Sequence, residues 1–231
     1  FMPDIKGKDL CINSDQALDL KVFPNSVIIN GGGYIALEFA GIFASFGSKV
    51  TLVYRGKNIL RGFDSEISKI INEELVNSNI NIRTETEINS VSKSDNGLLT
   101  TLSNGDNIKS SEVMFATGRI PNTQGMGLEK VGIEMGNTGE VIVDDNNETN
   151  IKNIFAIGDV TNRINLTPVA IAEGQIFSDN LFGGMQKKCN YTNVASAVFS
   201  QPAVGVVGLN ESEAKNIYIN DGGISVFKTS F

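Results

Sequence analysis

A short β-branched run, residues 26–30 (Ser-Val-Ile-Ile-Asn), ends in three glycines, Gly31, Gly32 and Gly33, and Tyr34-Ile35-Ala36-Leu37-Glu38-Phe39-Ala40 follows at once. An apolar run closed by glycine reads as a buried strand of a parallel sheet. The mixed small and large apolar residues up to Gly47 suit a helix buried over most of its surface. Residues 49–54 (Lys-Val-Thr-Leu-Val-Tyr) then make a second strand. The turn between strand and helix fits G-x-G-x-x-A. Gly31 permits the sharp bend, Gly33 lets the backbone approach a pyrophosphate, and the small Ala36 lets helix and strand pack closely. N–H groups at the helix start then face negative phosphate oxygens. Glycine-rich turns are common, and it is the placement of this one inside a βαβ unit that makes it read as a nucleotide-binding turn.

The alternation continues. Asp64 is positioned to cap a helix reaching about Asn77, with Ile67, Ile70, Ile71 and Leu75 at helical spacing. Residues 79–83 follow as a strand, so strand and helix alternate through residues 26–83, which implies parallel pairing with right-handed crossovers. Residues 87–93, 97–102 and 106–116 read as short strands separated by Ser-Asp-Asn-Gly and Ser-Asn-Gly-Asp turns, the pattern of antiparallel hairpins. A glycine-rich stretch containing Gly118, Pro121, Gly125, Gly127 and Gly132 carries an expected domain boundary. Beyond it, residues 153–157 read as a strand ended by Gly158-Asp159, and residues 167–181 as a helix. Residues 195–199, 203–207 and 224–227 are strand-like, with a helix near residues 211–217. The expected fold class is α/β: a Rossmann-like domain with a parallel sheet and an antiparallel meander, followed by further α and β segments.

The end of the second strand selects between dinucleotides. An acid there would bind the free ribose 2′-hydroxyl of NAD. This chain has Val53-Tyr54-Arg55-Gly56-Lys57 and then Arg61: three cations and no acid. A 2′-phosphate carries nearly two charges, and a guanidinium fork can meet it with paired hydrogen bonds. Arg55 and Arg61 therefore point to NADP.

The remaining composition narrows the function classes. The chain of 231 residues has a formal net charge of -7, which disfavours nucleic acid as a partner. No apolar run is long enough to span a membrane, and Phe1-Met2-Pro3-Asp4 lacks a signal-peptide layout, so the cytoplasm is the expected compartment. Histidine is absent, which removes the usual acid–base group at neutral pH. Cys11 and Cys189 stand far apart in neither a redox nor a metal spacing, so they are expected to be reduced and ordinary, and no metal site is expected.

Several ordered motifs resemble the pyridine nucleotide-disulfide oxidoreductases, and among them the glutathione reductases. These are Gly31 to Glu38; Arg55 with Arg61-Gly62-Phe63-Asp64; Ala116-Thr117-Gly118-Arg119-Ile120-Pro121-Asn122; Phe155-Ala156-Ile157-Gly158-Asp159; Leu166-Thr167-Pro168-Val169-Ala170; and Val198-Phe199-Ser200-Gln201-Pro202. The resemblance implies two cofactors, NADPH and FAD, with oxidised glutathione as substrate and a homodimer in the full-length enzyme. It implies that Gly31, Gly32, Gly33, Tyr34 and Ile35 cradle the NADPH pyrophosphate, with Gly118 also at the cofactor. Arg55 and Arg61 would hold the 2′-phosphate. Tyr34 would be the mobile ring that covers the flavin until nicotinamide displaces it. Glu38 would sit near the nicotinamide and pair with a lysine outside this chain. Asp159 would bind the ribityl hydroxyls of FAD, Thr167 would lie by the flavin ring through its backbone, and Ala197 would belong to the edge that meets the nicotinamide amide.

The same resemblance implies that the chain is a fragment. The first glycine turn for FAD and the C-x-x-x-x-C pair would precede Phe1, and the His-Glu pair would follow Phe231, leaving no catalytic residue here. The implied division is an NADP-binding domain (1–119), the second half of an FAD-binding domain (120–190) and the start of an α+β dimerisation or interface domain (191–231). Other readings remain open: a family member acting on dihydrolipoamide, trypanothione or mercuric ion, or a non-catalytic NADP(H)-binding module.

Overall fold

The computed structural model describes residues 1–220 and 222–229. A short helix α1 (Ser14–Leu18), closed at its start by a reciprocal Asn13–Gln16 capping box, leads to strand β1 (Ser26–Asn30). Helix α2 (Tyr34–Ser45), strand β2 (Lys49–Val53), helix α3 (Ser65–Asn77) and strand β3 (Asn81–Arg83) follow in the expected alternation. Asp64 caps α3 by accepting the Glu66 N–H at 2.9 Å. Next come strands β4 (Ile88–Ser94), β5 (Gly97–Leu102), β6 (Asn107–Ser110) and β7 (Glu112–Phe115).

The parallel sheet has the order β3-β2-β1-β7. β1 is central, with Ile28 opposite Thr51 on one side and Val113 on the other. Its side chains alternate between two cores. Val27 and Ile29 pack with Leu37, Ala40, Phe43, Leu52, Ile71 and Leu75 on the helical side. Ile28 packs with Val91, Leu98, Leu102, Val113 and Phe115 under the antiparallel sheet β4-β5-β6. The meander therefore covers the face that crossover helices leave open, which is why β1 is apolar at every interior position.

The expected single strand over residues 106–116 is in fact two strands in two sheets. β6 pairs antiparallel with β5 and β7 parallel with β1. The switch is made at Ser111, whose N–H donates to the Ser26 carbonyl at 3.0 Å and so takes the chain from one ladder to the other.

Residues Phe1–Gly118 and Ala197–Phe231 form one unit, and Arg119–Ser196 another. In the first, strands β8 (Ser196–Val198) and β9 (Val204–Val206) pair, and Val198 and Val204 join the helical-side core. Their sheet begins at Ser196, the last residue of the second unit. Two later helices are α4 (Thr167–Gly183) and α5 (Glu211–Ile217). The expected strand at residues 224–227 does not form. No described segment lies alongside to complete its ladder, and Phe227 is 92% exposed. Asp221, Ser230 and Phe231, which the sequence reading placed in its last segment, lie outside the described residues.

In the second unit the expected strand at residues 153–157 reduces to a single antiparallel bridge between Glu148 and Phe155. Asn153 sits at φ 67° and the Ile154 N–H turns back to Ile151, so the segment bends where a strand would have to extend. Residues Gly158–Thr161 form a 3-10 turn leading toward α4. Among the described residues no helix is long and apolar enough to cross a membrane.

Candidate functional site

The glycine turn divides its three glycines among three different needs. Gly31, at φ 151°, lies so close to the chain after β7 that a Cβ would stand 2.4 Å from the Ala116 carbonyl oxygen. Ala36 sits beside it, fully buried, where a larger residue would part helix from strand. Gly32 is filled from another direction: a Cβ there would meet the Tyr54 ring at 2.6 Å, and one on Gly56 would meet the same ring at 2.5 Å. Tyr54 thus lies in a slot between two glycines. Gly33 alone faces open space, with nothing within 4 Å of a built Cβ.

Gly33 is also the N-cap of α2 and supplies no side chain to the first-turn N–H groups, and that turn contains no acid. A helix start with free donors and room over its cap residue fits a pyrophosphate. Tyr34 opens α2 and is 38% exposed, and Ile35 packs partly into the core.

Arg55 and Arg61 are both exposed, and among the described residues neither makes a salt bridge or side-chain hydrogen bond. Their loop is nonetheless anchored. Gly31 donates its N–H to the Val53 carbonyl at 2.9 Å, and Leu60 donates to the Gly32 carbonyl at 2.7 Å. The cationic loop and the glycine turn are thereby held together at both ends.

Glu38, one turn into α2, is half-buried and accepts the Phe199 N–H at 2.9 Å. A carboxylate between Leu37 and Phe39 needs a partner; this one lies 161 residues away in sequence, just past β8. The sequence reading expected only a lysine outside the chain. Ala197, in β8, is exposed; Gly118 is exposed at φ 127° with open space about it.

Two expected residues fall in the second unit. Asp159 lies in the 3-10 turn, its side chain 48% exposed and 3.7 Å from Arg119 Nη2. Thr167 is the exposed first residue of α4, whose N-cap, Leu166, offers no side-chain acceptor and whose first turn carries Pro168 and no acid. An exposed carboxylate and an uncapped helix start suit a polyhydroxyl chain and an electron-rich ring respectively. Behind them, Glu173 is 1% exposed and hydrogen-bonded to Gly158 and Tyr191. Sequence alone gave no sign of this contact, because the partners of Glu173 lie outside its helix and a lone glutamate in a helix reads as surface.

Cys11 is buried and Cys189 half-buried, and both are free thiols. Burial first, then the nearby Glu112 and Asp9 carboxylates, push the Cys11 thiol up to about 11.

Residues 1–174 match the model of the pyridine nucleotide-disulphide oxidoreductases. The chain belongs to this family. Pyridine nucleotide-disulphide oxidoreductases and glutathione reductases use FAD and NADPH. The chain is 44% identical over 230 residues to the glutathione reductase of Burkholderia cepacia, covering 100% of this chain and 51% of that protein. It is 43% identical over 217 residues to the trypanothione reductase of Trypanosoma congolense, covering 92% of this chain and 44% of the relative. Among solved structures, the HOCl-induced flavoprotein disulfide reductase RclA from Escherichia coli superposes with a TM-score of 0.89 at 30% identity, over 94% of this chain and 50% of that one. This family member thus spans about half the length of the curated relatives it matches.

Proposed function

We propose that the chain is the pyridine-nucleotide portion of a glutathione-disulfide reductase. When bound, NADPH supplies hydride to FAD, and the electrons pass through a redox disulfide to oxidised glutathione. The single observation that carries this reading is the loop after β2. It presents Arg55 and Arg61 with no competing acid and is pinned to the turn whose Gly33 faces open space.

In this reading the chain binds and orients. First-turn N–H groups of α2, from Tyr34 and Ile35, hold the pyrophosphate, and Arg55 and Arg61 grip the 2′-phosphate. Gly118 and Ala197 border the nucleotide. Glu38, held by the Phe199 N–H, keeps a carboxylate beside the nicotinamide, and Tyr34 guards the flavin face. Asp159 binds ribityl hydroxyls, and Thr167 sets the uncapped start of α4 against the flavin ring. Residues 1–119, 120–190 and 191–231 would be the NADP domain, the second half of the FAD domain and the start of the interface domain of a homodimer.

Trypanothione is the second substrate reading, favoured by the 43% identity to a trypanothione reductase. The test is turnover by the full-length protein that carries this chain, with a flavin spectrum recorded first. NADPH oxidation driven by oxidised glutathione and not by trypanothione disulfide supports the proposal. The opposite preference replaces it, and turnover with neither removes both.

A further inference from the structure

Glu173 is the one acidic side chain among the described residues that is essentially without solvent contact. Burying an ionised carboxylate is costly unless its oxygens are satisfied, and an apolar side chain of similar size would pack the same space more cheaply. Here the oxygens are satisfied in a particular direction. Oε2 accepts the Gly158 N–H at 2.5 Å, and Oε1 accepts the Tyr191 hydroxyl at 2.6 Å, with Arg163 Nη1 3.9 Å away.

Arg163 is fixed in its turn. It donates to Asn147 Oδ1 at 2.9 Å, to the Tyr191 oxygen at 2.6 Å and to the Asp144 carbonyl at 2.6 Å, and its guanidinium lies 5.5 Å from the Tyr191 ring centre. Of these branches the one through Tyr191 ends on Glu173, and the others tie Arg163 to residues 143–147.

What Glu173 touches is the peptide one residue before Asp159. Gly158 has φ 70°, a conformation that favours glycine, and a Cβ there would crowd the Ala170 methyl at 3.0 Å. Its carbonyl accepts the Thr161 hydroxyl at 2.8 Å. The Gly158 backbone is therefore held at its N–H by a buried charge and at its carbonyl by a side chain within the same turn. Among the described residues the Asp159 side chain has only the exposed Arg119, 3.7 Å away, to orient it.

We infer that Glu173 is a positioning residue for flavin binding: by holding the Gly158 N–H it fixes the residue that precedes Asp159, and with it the direction in which Asp159 extends toward the ribityl chain. The inference rests on the flavin role given to Asp159 above. A network that merely stapled this unit together would stabilise it without any energetic link to Asp159, and that difference is measurable.

The experiment is a double-mutant cycle on the full-length flavoprotein, reading the FAD dissociation constant by reconstitution of the apoprotein and the visible circular dichroism of the bound flavin. Glu173→Ala should weaken FAD by about tenfold or more and alter the dichroism, because the lost bond is charge-assisted. Glu173→Gln, which keeps an acceptor for the Gly158 N–H, should stay within about threefold of the parent. In an Asp159→Ala background, Glu173→Ala should add less than about twofold, because its effect passes through Asp159. An unchanged affinity for Glu173→Ala, or a loss that adds in full to that of Asp159→Ala, overturns the inference while leaving the flavin reading intact. Should Asp159→Ala alone leave FAD affinity unchanged, the flavin reading itself fails. If Glu173→Ala does not fold, Tyr191→Phe takes its place: a loss of about threefold that vanishes in the Asp159→Ala background supports the inference, and an unchanged affinity refutes it.

Discussion

Leu60 donates its N–H to the Gly32 carbonyl at 2.7 Å, and it does so from a left-handed backbone with φ 54° while 1% exposed. A buried, branched residue in that conformation costs on the order of 1–2 kcal/mol. The cost is offset by burial of the side chain beside Ile59 and by the bond to the turn. Because Arg61 is the next residue, its backbone starts from a fixed point relative to the glycine turn.

That anchoring leads to the first prediction. If Arg55 and Arg61 meet a 2′-phosphate, replacing both with alanine should weaken NADPH while sparing NADH. Each charge-assisted bond is worth roughly 1.5–3 kcal/mol, so the loss should be at least about tenfold per arginine. Titration of nicotinamide fluorescence checks it; equal losses for the two coenzymes would disprove the NADP assignment.

Gly32 and Gly33 should respond differently to the same change. Gly32→Ala pushes a methyl into the Tyr54 ring and should destabilise the fold by roughly 1–3 kcal/mol through overpacking. Gly33→Ala meets nothing within 4 Å and has an ordinary φ of -88°, so the melting temperature should hardly move. Its cost should fall on coenzyme affinity, since the methyl would enter the space assigned to the pyrophosphate. Calorimetric melting beside a binding titration separates the two.

How much could be read in advance follows from how local each determinant is. The turn at Gly31, the cap at Asp64 and the apolar run of β1 are decided within a few residues, and sequence reveals them. The split at Ser111 depends on Ser26, 85 positions away, and a continuous apolar-alternating run conceals it. The same holds for Glu38, whose partner Phe199 is 161 positions distant, and for Glu173, whose three partners come from two separate loops. Residues 224–227 had strand-like composition but no described strand to pair with, and residues 153–157 have a neighbour in 147–149 but bend at Asn153; composition alone reports neither.

The Asp64 cap should be sensitive to acid. Its carboxyl is held below the usual range chiefly by the Glu66 N–H, with the Glu211 N–H at 3.3 Å assisting. Asp64→Ala should cost about 0.5–2 kcal/mol near neutral pH. A depressed acid contributes stability above its ordinary value of 3.8 and loses it as pH falls through the folded value. Urea unfolding of parent and variant should therefore differ at neutral pH and converge in strong acid. A gap that persisted unchanged in acid would show that the charge plays no part.

Cys11 should behave in the opposite sense. Its thiol, raised by burial from 9.0 to about 11, keeps its proton in the folded chain over a range where the unfolded chain releases it. The folded state then binds more protons than the unfolded one, so this contribution is complete below pH 9.0 and is lost as pH rises toward about 11, a change on the order of 2–3 kcal/mol. Cys11→Ala should flatten that alkaline decline. Since the thiolate is the reactive form, Cys11 should also resist iodoacetamide at neutral pH in the folded chain and react once unfolded, whereas half-buried Cys189 is open to labelling from the start. Peptide mapping after timed alkylation decides it: fast modification of Cys11 in the folded chain would mean that its burial does not hold, and would reopen a redox role for that thiol.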